Sequence, residues 1–239
     1  PSFGSVTWRQ SAVAEEVAYS IRPAQSSVAI DGLGNRALTE KWEQPRGPIQ
    51  IVRKLVVETE ASLAPVESQG PFPMRALPDE AARFLQASSM TQREDPKIRD
   101  LARSLTAGAQ SEREAVTALL NYVVDHLQYQ YDPPAHDALF ALDRRIANCQ
   151  GYAHLSLALL RAAGIPARLA VGFSLSKGWR VQHGDGTVTF KMGQGRHAWI
   201  EVFYPDIGWI PYDPQTSHLF VSIYHIRQAV LLDAVEELR

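Results

Sequence analysis

The chain has 239 residues, 45% of them hydrophobic, enough to bury a sizeable core in one large domain or two small ones. Its 26 acidic and 24 basic residues leave a net charge of -2 and no block of like charge, which argues against a nucleic-acid surface. A single cysteine excludes an internal disulfide framework and any zinc site built from paired Cys-x-x-Cys motifs.

The start, Pro1-Ser2-Phe3-Gly4, has no Met, basic region or apolar leader, and we expect a processed or truncated chain. Short β-branched runs that alternate with polar residues then predict strands at Val6-Trp8, Glu16-Ile21, Ser27-Ile30 and Ile49-Thr59. Turn signals at Asp31-Gly32-Leu33-Gly34-Asn35 and Gln44-Pro45-Arg46-Gly47-Pro48 separate them, as in an antiparallel meander or small sandwich. Residues 1–63 are therefore expected to be an all-β N-terminal domain. Residues 64–78, with Pro65, Pro71, Pro73 and Pro78, have linker composition, and 79–239 would form the second domain.

Helices follow over Asp79–Ala87, Asp95–Thr106 with Pro96 at the first helical position, and Ser111–Leu127 behind a Ser111-x-x-Glu114 capping box. A short helix is expected over Asp137–Arg144 and a strongly apolar one from Cys149 to Ala163, stopped by Gly164 and Pro166. The apolar run Leu155–Phe173 is broken by Arg161, Pro166 and Arg168, so it reads as a buried helix and strand, not a membrane span. Strands are placed near Ala167–Gly172, Val188–Met192, His197–Phe203 and Trp209–Tyr212. A polar loop is expected over Ser174–Gly186 and a closing helix over His225–Leu238.

The lone thiol must be explained by itself. Cys149 falls where its helix begins, so unpaired backbone N–H groups and the positive dipole end would favour thiolate and, later, an oxyanion. His197 and Asp213 are spaced to lie on adjacent strands joined by the Tyr204-Pro205-Asp206-Ile207-Gly208 turn. There His197 could face Cys149 while Asp213 holds its other nitrogen. Taken singly, each has a plainer explanation: an inert buried thiol, a packing histidine, a turn aspartate. Nucleophile, base and orienting acid in this order are a less accidental set.

The runs Cys149-Gln150-Gly151-Tyr152-Ala153, Leu159–Arg168, His197-Ala198-Trp199-Ile200-Glu201-Val202 and Gly208–Pro214 resemble the bacterial transglutaminase-like superfamily over roughly Asp79 to Ser217. The β-rich start resembles the domain that often precedes this core. The resemblance implies an α+β fold: a papain-like transglutaminase core with an all-β N-terminal domain. It also implies a triad of Cys149 as nucleophile, His197 as general base and then acid, and Asp213 as orienting residue. No cofactor and no metal are implied. The substrate class would be a protein or peptide, attacked at a glutamine carboxamide or peptide carbonyl through a thioester. Hydrolysis, as in a cysteine protease or amidase, is the leading outcome, and crosslinking of glutamine to a primary amine is the alternative. A third reading is a protein- or glycan-binding module with an idle triad. Family habit points to an extracytoplasmic, periplasmic setting in a bacterium.

Where many members carry a glycine before the cysteine, this chain has Arg144-Arg145-Ile146-Ala147-Asn148. Gln130 or Tyr131 could donate to an oxyanion, with helix-end packing the competing explanation. His154, Trp199, Trp209 and Arg168 are assigned to packing, and His183, His218 and His225 receive no role.

Overall fold

The computed structural model describes residues 5–64, 66–74, 76–175, 180–189, 195–216 and 218–234. The N-terminal region is all β. Strands β1 (Ser5–Tyr19) and β4 (Ile51–Ala64) pair antiparallel along a two-stranded ribbon, with a bulge between Ala12 and Ala14. Between them, β2 (Gln25–Ile30) and β3 (Arg36–Lys41) form a hairpin whose turn is held by Asp31, which accepts the Leu33 and Asn35 amides.

The expected meander or sandwich is not formed, because the four strands make two separate two-stranded sheets. No side chain described between residues 8 and 62 is buried, so the ribbons have no second layer of their own. They lean instead on the rest of the chain. Gln10 exchanges two hydrogen bonds with the Arg227 backbone at 2.9 and 2.8 Å. Asn35 brackets Val230 in the same way at 2.7 and 2.8 Å, and the Thr59 hydroxyl donates to the Ile223 carbonyl at 2.7 Å.

The proline-rich run expected as a linker is, over residues 66–74, laid against the core. Asp206 accepts from the Ser68 hydroxyl at 2.8 Å and the Gln69 amide at 2.7 Å, and Pro71 bridges to Ser111.

The helix expected to reach Ala87 stops early: α1 (Asp79–Ala82) passes into a 3-10 turn over Arg83–Leu85. Helix α2 (Pro96–Thr106) is capped by Asp95, which accepts the Lys97 amide, and α3 (Glu112–His126) is capped by Ser111. The second arm of the capping box differs in detail, since Glu114 reaches back to the Gln110 amide at 2.8 Å. Then come β5 (Gln128–Tyr129), α4 (Ala138–Arg144), β6 (Ile146–Ala147) and α5 (Cys149–Ala162). Helix α5 ends as expected at Gly164, whose φ of +80° suits a residue without Cβ.

The remaining strands are β7 (Ala167–Ser174), β8 (Arg180–His183), β9 (Gly186–Thr189), β10 (Arg196–Tyr204), β11 (Gly208–Tyr212) and β12 (His225–Leu231). Two expectations are corrected here. The polar loop over 174–186 contains β8, which pairs with β9 in a hairpin. The closing helix is instead strand β12, antiparallel to β7. Gln228, Ala229 and Leu231 favour helix locally, but the open edge of β7 offers a ladder of backbone partners and tertiary pairing overrides propensity. The end of that expected helix, residues 235–238, and the Lys191-Met192 end of the expected Val188–Met192 strand lie outside the described residues.

Strands β11, β10, β7 and β12 form one antiparallel sheet in that order. Helix α5 lies between this sheet and α2, α3 and α4. Every residue from Gly151 to Arg161 is buried. Leu155, Leu157, Leu159 and Leu160 are wholly inaccessible and pack with Leu169, Ile200 and Val202 of the sheet. Each such leucine contributes about 1.5–3 kcal/mol, so the helix that starts at Cys149 is the best-anchored element of the fold. No helix among the described residues is long and apolar enough to cross a membrane.

Candidate active site

Cys149 is held in place by the turn before it. Arg145 ends α4 at φ +59°, doing with a side chain the left-handed step that glycine makes more easily. The chain then pairs β6 with β5 in parallel, Tyr129 opposite Ala147, and enters α5 through Asn148. Gly151 allows this close entry, because a Cβ there would sit 2.8 Å from the Ala147 Cβ. Asn148 Oδ1 accepts the amides of Gln150 at 3.1 Å and Gly151 at 3.3 Å. Two of the first-turn amides expected to face the sulfur are thus taken by the cap, and Cys149's own amide is the donor that remains at the start of the helix.

His197 comes from the second residue of β10, and Asp213 directly follows β11, which pairs with β10 through Ile200 and Tyr212. His197 Nε2 donates to Asp213 Oδ2 at 2.8 Å, and the Cys149 side chain lies near enough to favour the proton on the imidazole. Since Nε2 is engaged by the carboxylate, Nδ1 is the nitrogen that meets the thiol. The three residues singled out from the sequence are therefore brought together, in the order expected.

The electrostatics follow from burial and pairing. Burial opposes charge on His197, but Asp213 outweighs it through charge and hydrogen bond, and with the Cys149 contact raises the imidazole to about 10. Burial likewise opposes ionisation of Asp213. The charge of His197, its hydrogen bond and a further one from His225 hold that carboxyl well below the usual carboxylate range.

His225, given no role from the sequence, is the residue that was missed. It opens β12, is 6% exposed, and its Nε2 lies 3.2 Å from the same Asp213 Oδ2. Only the register of β12 against β7 brings it there, and nothing in its spacing from Asp213 announces it. His197, Asp213 and His225 place three metal-type donor atoms within 4.8 Å of one another. Hydrogen bonding accounts for them: both Nε2 atoms carry protons toward Oδ2, and His225 Nδ1 accepts the Ser222 amide at 3.1 Å, so no two imidazole lone pairs converge on one point.

Cys149 is half-buried and opens on a groove of about 650 Å³ lined also by Tyr129, Tyr131, Asp132, His136, His183 and Arg196. The Gln130 side-chain amide donates one hydrogen to the Asp132 carbonyl at 3.1 Å. Tyr131 stacks edge-on against His183. Tyr129 is the upstream residue closest in effect: burial, and after it the charge of Cys149, push its hydroxyl up to about 12.

A profile described as the transglutaminase-like superfamily matches residues 99–214, the stretch that carries Cys149, His197 and Asp213. Over residues 99–214 the chain is transglutaminase-like. A Pseudomonas aeruginosa protein-glutamine gamma-glutamyltransferase is 33% identical over 130 residues, which are 50% of this chain and 18% of that protein. In fold, the transglutaminase-like core and its β-rich start are similar to a protein from Cytophaga hutchinsonii proposed to be a cysteine protease. There the TM-score is 0.66 at 17% identity, covering 98% of this chain and 78% of that one. The fold is also similar to the periplasmic domain of TgpA from Pseudomonas aeruginosa, with TM-score 0.50 and 23% identity over 91% of this chain and 70% of that one. The chain spans 28% and 18% of the length of the first two curated relatives it matches.

His154, assigned to packing, keeps that role in this transglutaminase-like core. Its Nδ1 donates to the His136 carbonyl at 2.7 Å, its Nε2 accepts the Ala234 amide at 3.3 Å, and burial pushes it down to about 4. It thereby ties the groove wall at His136 to the end of the described chain.

Proposed function

We propose that this chain is a thiol acyl-transfer enzyme acting on peptide or glutamine carboxamide bonds through Cys149, His197 and Asp213. The observation that carries this reading is the position of His197, which bonds Asp213 Oδ2 at 2.8 Å and lies near the Cys149 side chain, where the thiol opens on a groove. An imidazole kept protonated by a buried carboxylate supplies the positive charge beside an attacking thiolate. The sulfur attacks the carbonyl carbon, a C–S bond forms, and the carbonyl oxygen takes the negative charge toward the Cys149 amide. Collapse breaks the C–N bond, His197 gives its proton to the departing ammonia or amine, and a thioester remains. Asp213 stays ionised throughout and keeps the ring oriented.

Resolution of the thioester by water makes the enzyme a protease or amidase, and this is the reading we favour. The groove carries Asp132, His136, His183 and Arg196, a polar lining that water wets readily. In that step His197 takes a proton from water, a C–O bond forms, and the thiolate leaves. Transamidation to a primary amine is the second reading, supported by the name of the 33%-identical Pseudomonas relative. A periplasmic or other extracytoplasmic site of action fits the likeness to a domain so described.

Intact-mass labelling with iodoacetamide across pH, comparing wild type with His197→Ala, tests the first half. Labelling of Cys149 that depends on His197 is expected. Labelling that follows an ordinary thiol, unchanged by His197→Ala, would leave a binding module with an idle triad as the better account. Glutamine peptides, with and without an added primary amine, then separate the outcomes: deamidated or cleaved product for hydrolysis, amine adduct for transfer. Cys149→Ala abolishes both.

A further inference from the structure

We propose that His225 is a positioning residue for the triad, a second imidazole that shares Asp213 Oδ2 with His197 and so fixes how the carboxylate holds the catalytic ring. The inference rests on the proposed roles of Cys149, His197 and Asp213 and goes beyond them.

The protonation pattern of His225 is set by its surroundings. The backbone amide of Ser222 donates to Nδ1 at 3.1 Å, and the Ser222 hydroxyl lies 3.2 Å from the same nitrogen. A nitrogen that accepts an amide hydrogen has no proton of its own, so the neutral ring carries its proton on Nε2. That N–H points at Asp213 Oδ2, 3.2 Å away. Oδ1 of the same carboxylate accepts the Gln215 amide at 3.1 Å. Asp213 therefore meets three donors, two of them on the oxygen that serves His197 at 2.8 Å, and its plane is fixed from both ends.

Packing locks the pair of rings as well. Trp199 is wholly buried, with His197 stacked near it at 5.9 Å between centroids and His225 edge-on at 5.3 Å. The two imidazoles are 5.5 Å apart. Gly172 of β7, opposite both His197 and Arg227, lets β12 come this close: a Cβ there would fall 1.9 Å from the Ile226 carbonyl oxygen. Among the described residues, the groups that face His225 come from three strands. Asp213 faces it from the end of β11, His197 and neutral Trp199 from β10, and neutral Ser174 is its partner on β7. The next charged groups along β12 and β10, Arg227 and Glu201, are bonded to each other.

Two donors on one oxygen divide its negative charge. Removing His225 leaves that charge to His197 alone, tightening the hold on the imidazolium while freeing the carboxylate to turn. A group that merely filled space would do neither.

The test is NMR titration of the histidine side chains in nitrogen-15-labelled protein, with His197→Ala and Asp213→Asn used for assignment. In wild type, His225 should show a protonated Nε2 and an unprotonated Nδ1, and His197 should titrate above the ordinary histidine range. In His225→Phe the His197 midpoint should rise by about half a pH unit, and Cys149 alkylation at neutral pH should slow several-fold. His225→Gln, which returns an N–H near the position of Nε2, should restore both. An unprotonated Nε2 on wild-type His225 overturns the inference without any variant. So does an unmoved His197 midpoint in folded His225→Phe, or a His225→Gln that behaves like His225→Phe. Should wild-type His197 titrate normally and ignore Asp213→Asn, the triad itself falls and takes this inference with it.

Discussion

Glu112 stands first in helix α3, where an acidic residue ordinarily sits in water and meets the helix dipole. Here it is wholly inaccessible and neither carboxyl oxygen has a hydrogen-bond partner among the described residues. Burial, with the nearby charge of Asp206 behind it, pushes its carboxyl up to about 8 from the ordinary 4.5. Between those values the folded chain keeps the proton and the unfolded chain loses it, so folding takes up a proton and stability falls as pH rises. The contribution of the neutral acid is fully present below pH 4.5 and is lost through about pH 8. At about 1.4 kcal/mol per pH unit, the loss by pH 7 is on the order of 3 kcal/mol. Glu112→Gln keeps the shape and removes the titration. We expect the two proteins to unfold at similar urea concentrations near pH 5, and the variant to be more stable by about 2–3 kcal/mol at pH 7. Urea unfolding followed by tryptophan fluorescence at half-unit steps from pH 5 to 8.5 measures the difference. A difference that stays flat across the range would show that Glu112 is ionised or solvated in the folded chain and would refute the reasoning.

Three further outcomes follow from close contacts and a buried cation. Gly172→Ala drives a Cβ into the Ile226 carbonyl, where only the backbone can give way. We expect a loss of at least ~3 kcal/mol and, in any protein that still folds, loss of β12 protection in amide exchange. Gly151→Ala meets the Ala147 Cβ at 2.8 Å and should cost about 1–3 kcal/mol in thermal unfolding; Ala147→Gly in the same chain should recover most of it, which a backbone-propensity effect alone would not. Arg161 is wholly buried and donates to Ala167 O at 3.0 Å, Gln86 O at 3.1 Å, the Thr91 hydroxyl at 2.9 Å and Leu232 O at 2.7 Å. Arg161→Ala should destabilise by about 3–5 kcal/mol in calorimetry, and Arg161→Lys should recover little, because an ammonium cannot span acceptors set for a planar fork.

Much of the core was legible because its signals are local. Asp95-Pro96, Ser111 and Gly164 punctuate helices by side-chain and backbone chemistry that acts within a turn. Cys149, His197 and Asp213 fall on elements whose order the sequence predicts, and the register Ile200 to Tyr212 does the rest. What was missed depends on partners far along the chain. Strand β1 runs on through Arg9–Glu15, between two stretches read as strand; its Ala12-Val13-Ala14-Glu15 has no strand alternation, and it extends because β4 lies beside it. Hairpin strand β3, Arg36–Lys41, has too little alternation to stand out, and β12 was read by its helix formers. Nothing local in the sequence sets Glu112 apart from an ordinary first-turn acid, and His225 received no role. Both owe their surroundings to long-range packing, which no periodicity encodes.

The placement of Cys149 relative to what surrounds it also orders events during synthesis. Cys149 leaves the ribosome 48 residues before His197, 64 before Asp213 and 76 before His225. Helix α5 draws its burial from α2, α3 and α4, already made, but also from β7 and β10, which are not. The nascent chain thus carries Cys149 before His197, Asp213 and His225 have been made, and the sheet β11-β10-β7-β12 is complete only when β12 pairs with β7. The chemistry proposed for Cys149 is thereby held in abeyance until His197 and Asp213 have been made, when the segments before them are already folded against α5.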